Sequence, residues 1–130
     1  MELPEFTPGL SARVELTVTD ADTAQSVGSG DVPVLATPRV LALAEAATVA
    51  ATARQIPGGT TTVGTRAEIE HKAPTPVGRV VTALATLAKV DGRKLLFEVE
   101  VRDGEDVVAE VRVERMILDR QRFISKALGN

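Results

Sequence analysis

Cysteine, tryptophan and tyrosine are absent from this 130-residue chain, and histidine occurs once. Without a thiol there is no disulfide framework, no cysteine nucleophile and no thiolate metal site. A lone imidazole argues against a histidine-based zinc site. Aromatic residues make up only 2% of the chain, as Phe6, Phe97 and Phe123. The core must therefore be built from Val, Ala and Leu, and burial through self-association would add to it. A basic excess is also missing. The formal net charge is −3, and without a basic stripe nucleic acid is not the expected main partner. The opening Met1-Glu2-Leu3-Pro4-Glu5 lacks the basic start and apolar run of a secretory leader, so a cytoplasmic location is expected.

What is present is ordinary for a globular chain, at 44% hydrophobic and 25% charged, and the length suits one domain, residues 1–130, with one core. One stretch, Thr37 to Gln55, reads clearly as a helix. Thr37 suits the N-cap and Pro38 the first helical position, while Ile56-Pro57-Gly58-Gly59 cannot continue it. Its interior is mostly alanine, giving a thin cylinder that a sheet can approach closely. Arg39, Glu45 and Arg54 make it too polar, and its length too short, for a membrane span.

Everything else reads as strand, turn or loop. Val14, Leu16 and Val18 alternate with polar residues over Ala12 to Thr19. Asp20 to Val27 suit a short helical turn, and the small residues from Gly28 to Asp31 suit either a plain connector or a mobile cover. Thr61 to Lys72 form a long strand, with Val63, Thr65, Ala67, Ile69 and His71 on one face by strict alternation. Val80 to Val90, apolar on both faces, suit a central strand or one at a subunit seam. Asp91-Gly92 and Asp103-Gly104 mark hairpins. Leu95, Phe97, Val99 and Val101 face inward on the next strand, Val107, Ala109, Val111 and Val113 on the last, and residues 119–130 form a tail or short helix. The order predicts an α+β fold in which a curved, five-stranded antiparallel sheet wraps one long central helix, as in the hot-dog fold.

Four strings sharpen this. Val34-Leu35-Ala36-Thr37-Pro38-Arg39, Leu43-Ala44-Glu45-Ala46-Ala47, Val63-Gly64-Thr65 and His71-Lys72-Ala73-Pro74-Thr75-Pro76-Val77-Gly78 resemble the fluoroacetyl-CoA thioesterase-like branch of the hot-dog superfamily, over most of the chain. The resemblance implies acyl-CoA thioester hydrolysis by a homodimer with its site at the subunit interface and no metal or redox cofactor. It implies a catalytic set of Thr37, Glu45 and His71, with Gly64 where the backbone approaches the acyl group. The branch member acting on fluoroacetyl-CoA carries phenylalanines before the helix; Ser26 to Leu35 hold none, so thioester hydrolysis in general is implied rather than recognition of a fluorinated acyl group.

Each residue also has a plainer role. Glu45 reads as nucleophile, as a base activating water, or as an exposed helix acid. His71 reads as a proton carrier or a core histidine, and Thr37 as an orienting hydroxyl or simply a cap. Arg39, Lys72 and Arg79 read as contacts to coenzyme A phosphates or as solvated charges. Along the helix Thr37 and Glu45 stand roughly 12 Å and about 80° apart, so their side chains bracket a ligand rather than touch. The competing assignment is a dimer that binds acyl-CoA without hydrolysing it. An enoyl-CoA hydratase is disfavoured, because no aspartate precedes His71 between Arg66 and Glu70.

Overall fold

The computed structural model describes residues 3–129. Its strands are β1 (Ser11–Thr17), β2 (Thr60–His71), β3 (Val80–Asp91), β4 (Lys94–Asp103) and β5 (Asp106–Asp119). Its helices are α1 (Ala24–Val27), α2 (Thr37–Thr52) and α3 (Arg120–Ala127), with a 3-10 turn at Asp20–Asp22. The strands form one sheet in the order β1-β3-β4-β5-β2, antiparallel throughout. This is the hot-dog arrangement that the order of elements predicts.

The apolar positions explain the packing. Val81, Ala83, Ala85 and Leu87 of β3 and Leu95, Phe97, Val99 and Val101 of β4 are buried on the inner face. Against them lie Val40, Leu43, Ala44, Ala47 and Ala51 of α2. Small alanines on the helix let the sheet approach closely, and Phe97 supplies the largest fully buried side chain. Both two-residue hairpin loops open on a glycine with positive φ, Gly92 at 58° and Gly104 at 62°, a conformation that disfavours a Cβ.

The register slips at three places in the sheet, Ala88 of β3 among them, and the other two alter the alternation expected near the site. On β2 the register slips between Gly64 and Arg66, so that Thr65 has no partner on β5. Upstream of the bulge the positions sharing a face with Arg115 and Ile117 are Gly64 and Thr62; downstream they are Ala67, Ile69 and His71. Strict alternation had put Val63 and Thr65 on that face. The extra residue corrects this, because one added position reverses the parity of everything before it. A second slip on β5, opposite Val101 and Arg102, falls at Val108, whose carbonyl accepts from the N–H groups of Lys72 and Ala73.

Strand β2 is twelve residues long and forms one edge of the sheet. Its outer side has no strand beside it, and Gly64 to Glu68 are exposed. No proline interrupts it. A long open edge of this kind offers a row of unpaired backbone groups to another strand.

Candidate active site

Helix α2 begins one residue earlier than the cap signal implied. Ala36 is the N-cap, in extended conformation and without a side-chain cap bond. Its carbonyl accepts from the N–H groups of Arg39 and Val40. Thr37 and Pro38 therefore occupy the first two helical positions, and the Thr37 hydroxyl is not used as a cap. It lies 2.7 Å from Nδ1 of His71, the last residue of β2. The other ring nitrogen, Nε2, is shielded from solvent and has no hydrogen-bond partner within the described residues. Burial pushes the ring's pKa below its ordinary 6.5, against an opposing backbone hydrogen bond at Ala73. At neutral pH the imidazole is thus uncharged, held at one nitrogen and free at the other.

Glu45 stands two turns further along α2. Its side chain is 40% exposed, between the buried and solvated extremes. One carboxylate oxygen, Oε2, packs against Gly64, where an added Cβ would collide with it. The same oxygen accepts from Nη1 of Arg115 at 3.1 Å. Arg115 is buried on the inner face of β5 and is fixed twice more, through Nε to the Thr62 hydroxyl and Nη2 to the Thr62 carbonyl, both at 3.0 Å. Burial lowers its pKa and the neighbouring Glu45 charge opposes that shift. A guanidinium keeps its charge in such a setting and has five N–H donors, of which two remain after these bonds. The bulge is what makes this cluster: it turns Gly64 and Thr62 inward, beneath Glu45 and beside Arg115.

Glycine at position 64 therefore fixes where the Glu45 carboxylate can sit, because an added Cβ would push that side-chain end aside. Replacing this glycine with alanine is expected to displace the carboxylate; if that carboxylate is the reacting group the family resemblance implies, thioester turnover falls by roughly 10²-fold, as for a group moved by about an ångström. Steady-state kinetics of Gly64→Ala, with circular dichroism to confirm folding, checks this; wild-type turnover would show that the carboxylate position is irrelevant.

Of the residues singled out by sequence, the structure brings Thr37 to His71 and Glu45 to Gly64, but it does not join these pairs within one chain. Gly64 and His71 are seven positions apart on β2, roughly 20 Å of strand. The basic candidates have carboxylate partners. Arg39 bonds Asp22 at 2.8 Å; burial would raise the Asp22 pKa, but bonds from Thr19 and Arg39 outweigh it and lower the value. Lys72 lies 3.1 Å from Glu110 and 3.9 Å from Glu70. Arg79 bonds Asp103 at 2.9 Å. The segment before α2 is folded back on itself and its neighbours, with Ala24 N–H on the Val34 carbonyl, Gln25 N–H on that of Val32, and Leu35 N–H on that of Thr75.

Arg115 is the residue that sequence reasoning missed. Its signal was present: it occupies the inward series of β5 between Val113 and Ile117, where a cation needs a buried partner.

Comparison with known proteins bears on what this arrangement is for. Residues 18–121 match the family described as fluoroacetyl-CoA-specific thioesterase, FlK. The fluoroacetyl-CoA thioesterase of Streptantibioticus cattleyicolor is 36% identical over 93 residues, covering 72% of this chain and 67% of that protein. Among solved structures, a mutant of FlK in complex with acetyl-CoA superimposes with a TM-score of 0.90 at 27% identity, over 95% of this chain and 98% of that one. A thioesterase superfamily member from Thermus thermophilus gives a TM-score of 0.87 at 25% identity, over 95% and 91% of the two chains.

Proposed function

The chain belongs to the fluoroacetyl-CoA-specific thioesterase family, and from that premise we propose that it hydrolyses an acyl-CoA thioester to the free acid and coenzyme A, in a site completed across a homodimer. The observation that carries this reading is the division of the chemical groups into two clusters at opposite parts of an open edge strand. A second copy pairing with β2 about a two-fold axis near Ala67 and Glu68 makes an isologous contact. It sets the Glu45, Gly64 and Arg115 cluster of one protomer beside Thr37 and His71 of the partner subunit, twice per dimer. The pairing also satisfies the bare edge of β2.

In such a site each group has a distinct task. Glu45, oriented by Arg115, attacks the thioester carbon to give an anhydride that water opens, or it takes the proton from a water that attacks instead. The C–S bond breaks as the carbonyl is re-formed, and the departing sulfur takes a proton relayed through Nε2 of the imidazole. Thr37 holds the ring by its other nitrogen. The missing Cβ at Gly64 leaves room for the Glu45 carboxylate to lie against the strand. With no aromatic side chain between Ser26 and Leu35, this chain has no ring to close over a small acyl group from that segment, so its substrate is an acyl-CoA not restricted to a fluorinated one.

Thiol release from a panel of acyl-CoA thioesters tests the reading. The expected result is release by the wild-type protein with at least one acyl chain. Tight binding of the whole panel with no release would instead make the protein a binding module.

A further inference from the structure

We propose that a basic cleft at the far end of the sheet, formed by Arg93, Leu118, Arg122, Phe123 and Lys126, binds the 3′-phosphoadenosine diphosphate end of coenzyme A. The proposal rests on the reading that the substrate is a CoA thioester. It begins from a contrast among the cations. Arg39, Lys72 and Arg79 each face a carboxylate, whereas Arg93, Arg122 and Lys126 have no carboxylate within salt-bridge distance among the described residues and line one cleft of about 870 Å³. That volume lies in the range of small-ligand sites. The acid in the cleft, Asp119, is already engaged as the N-cap of α3, accepting from the Arg122 N–H at 3.0 Å.

The aromatic residue there fits the same ligand. Phe6 and Phe97 are buried in the core, while Phe123 is 42% exposed on a helix that buries none of its residues. An open ring between cations is a platform on which a nucleobase stacks while the phosphates meet the charges. The charge layout of the whole molecule points the same way. A concavity on another part of the sheet is lined by Glu68, Glu70, Glu98, Glu100 and Glu110 around a single Arg112. A polyanion is repelled there and drawn to the α3 end, although the chain as a whole is acidic.

Position along β5 links the cleft to the chemistry. Asp119 follows Arg115 by four strand positions, roughly 13 Å, a gap that the pantetheine arm spans with its sulfur near Glu45. An acidic carrier protein could also meet a basic patch, but an exposed ring set in a concave cleft suits a nucleotide better than a protein helix.

Calorimetric titration with coenzyme A, dephospho-CoA and adenosine 3′,5′-bisphosphate tests the assignment directly, without turnover. The variant combining Arg93→Ala, Arg122→Ala and Lys126→Ala is expected to bind coenzyme A roughly tenfold more weakly or worse, and wild-type binding is expected to weaken as salt rises. Phe123→Ala should weaken adenosine 3′,5′-bisphosphate as well. Hydrolysis of an acyl-pantetheine thioester, which lacks the nucleotide, should be unchanged in the triple variant. Equal affinity of wild type and triple variant for coenzyme A would overturn the proposal, as would a loss confined to acyl-carrier-protein substrates. Variant-sensitive CoA binding without any thioester hydrolysis would uphold the cleft and remove the hydrolase reading instead.

Discussion

Changing Glu45 to glutamine is expected to lower kcat for acyl-CoA hydrolysis by about 10³–10⁴-fold, the upper part of the range for a positioned acid–base group. Glutamine keeps the size of the side chain and its packing on Gly64, but it can neither attack as a carboxylate nor accept a proton from water. Its amide oxygen can still accept from Arg115, so the cluster around Thr62 stays in place and the fold is retained. KM should move far less than kcat, because what is removed acts on the transition state. Parallel thermal melts and kinetics of Glu45→Gln measure both halves of this statement. Turnover within a few-fold of wild type would reduce Glu45 to a surface acid that happens to lie beside an arginine.

The second large effect belongs to His71. His71→Ala is expected to cost about 10²–10³ in kcat, less than the loss at Glu45, since solvent can partly replace a proton carrier. The pH dependence is more diagnostic. Burial lowers the ring's pKa from the ordinary 6.5, so the neutral imidazole persists into mildly acid solution, and activity should fall only as pH drops through that depressed value. Stability follows the same sign. Below about 6.5 the unfolded chain takes up a proton that the folded ring resists, so this contribution is fully present above that pH and is lost as pH falls. In His71→Ala the acid limb of the pH–rate profile should vanish or shift; an unchanged limb would assign the titration to another group.

Much of the fold could be read from residue order. The alanine-rich rod, the alternation along β4 and the two glycine-led hairpins arise from local rules, and Leu95, Phe97, Val99 and Val101 are buried as their spacing implies. The site was less legible, for a specific reason. An unpaired Thr65 shifts the inward face from Val63 and Thr65 to Thr62 and Gly64, and nothing in a period-two pattern marks where a bulge will fall. The environment of Glu45 depends on that slip. Arg115 lay in plain view in an apolar series, yet its partners Thr62 and Glu45 come from a neighbouring strand and a helix far away in sequence. The same limit applied to the cations: Arg79 meets Asp103 because β3 and β4 pair Val81 with Asp103, a register that sequence alone does not disclose. Thr37 and His71 were singled out through family resemblance; their contact depends on where β2 ends against the start of α2.

One measurement tests the proposed sharing of the site between two protomers most directly. Glu45→Ala and His71→Ala chains carrying different tags are co-expressed, and the mixed dimer is isolated and assayed for thiol release. If each site takes Glu45 from one protomer and His71 from its partner, one of the two sites in the mixed dimer is intact, and its activity should be about half that of the wild-type dimer, although both parent dimers are nearly inactive. A mixed dimer as inactive as its parents would contradict the account, since it would mean that each chain must supply both groups to its own site.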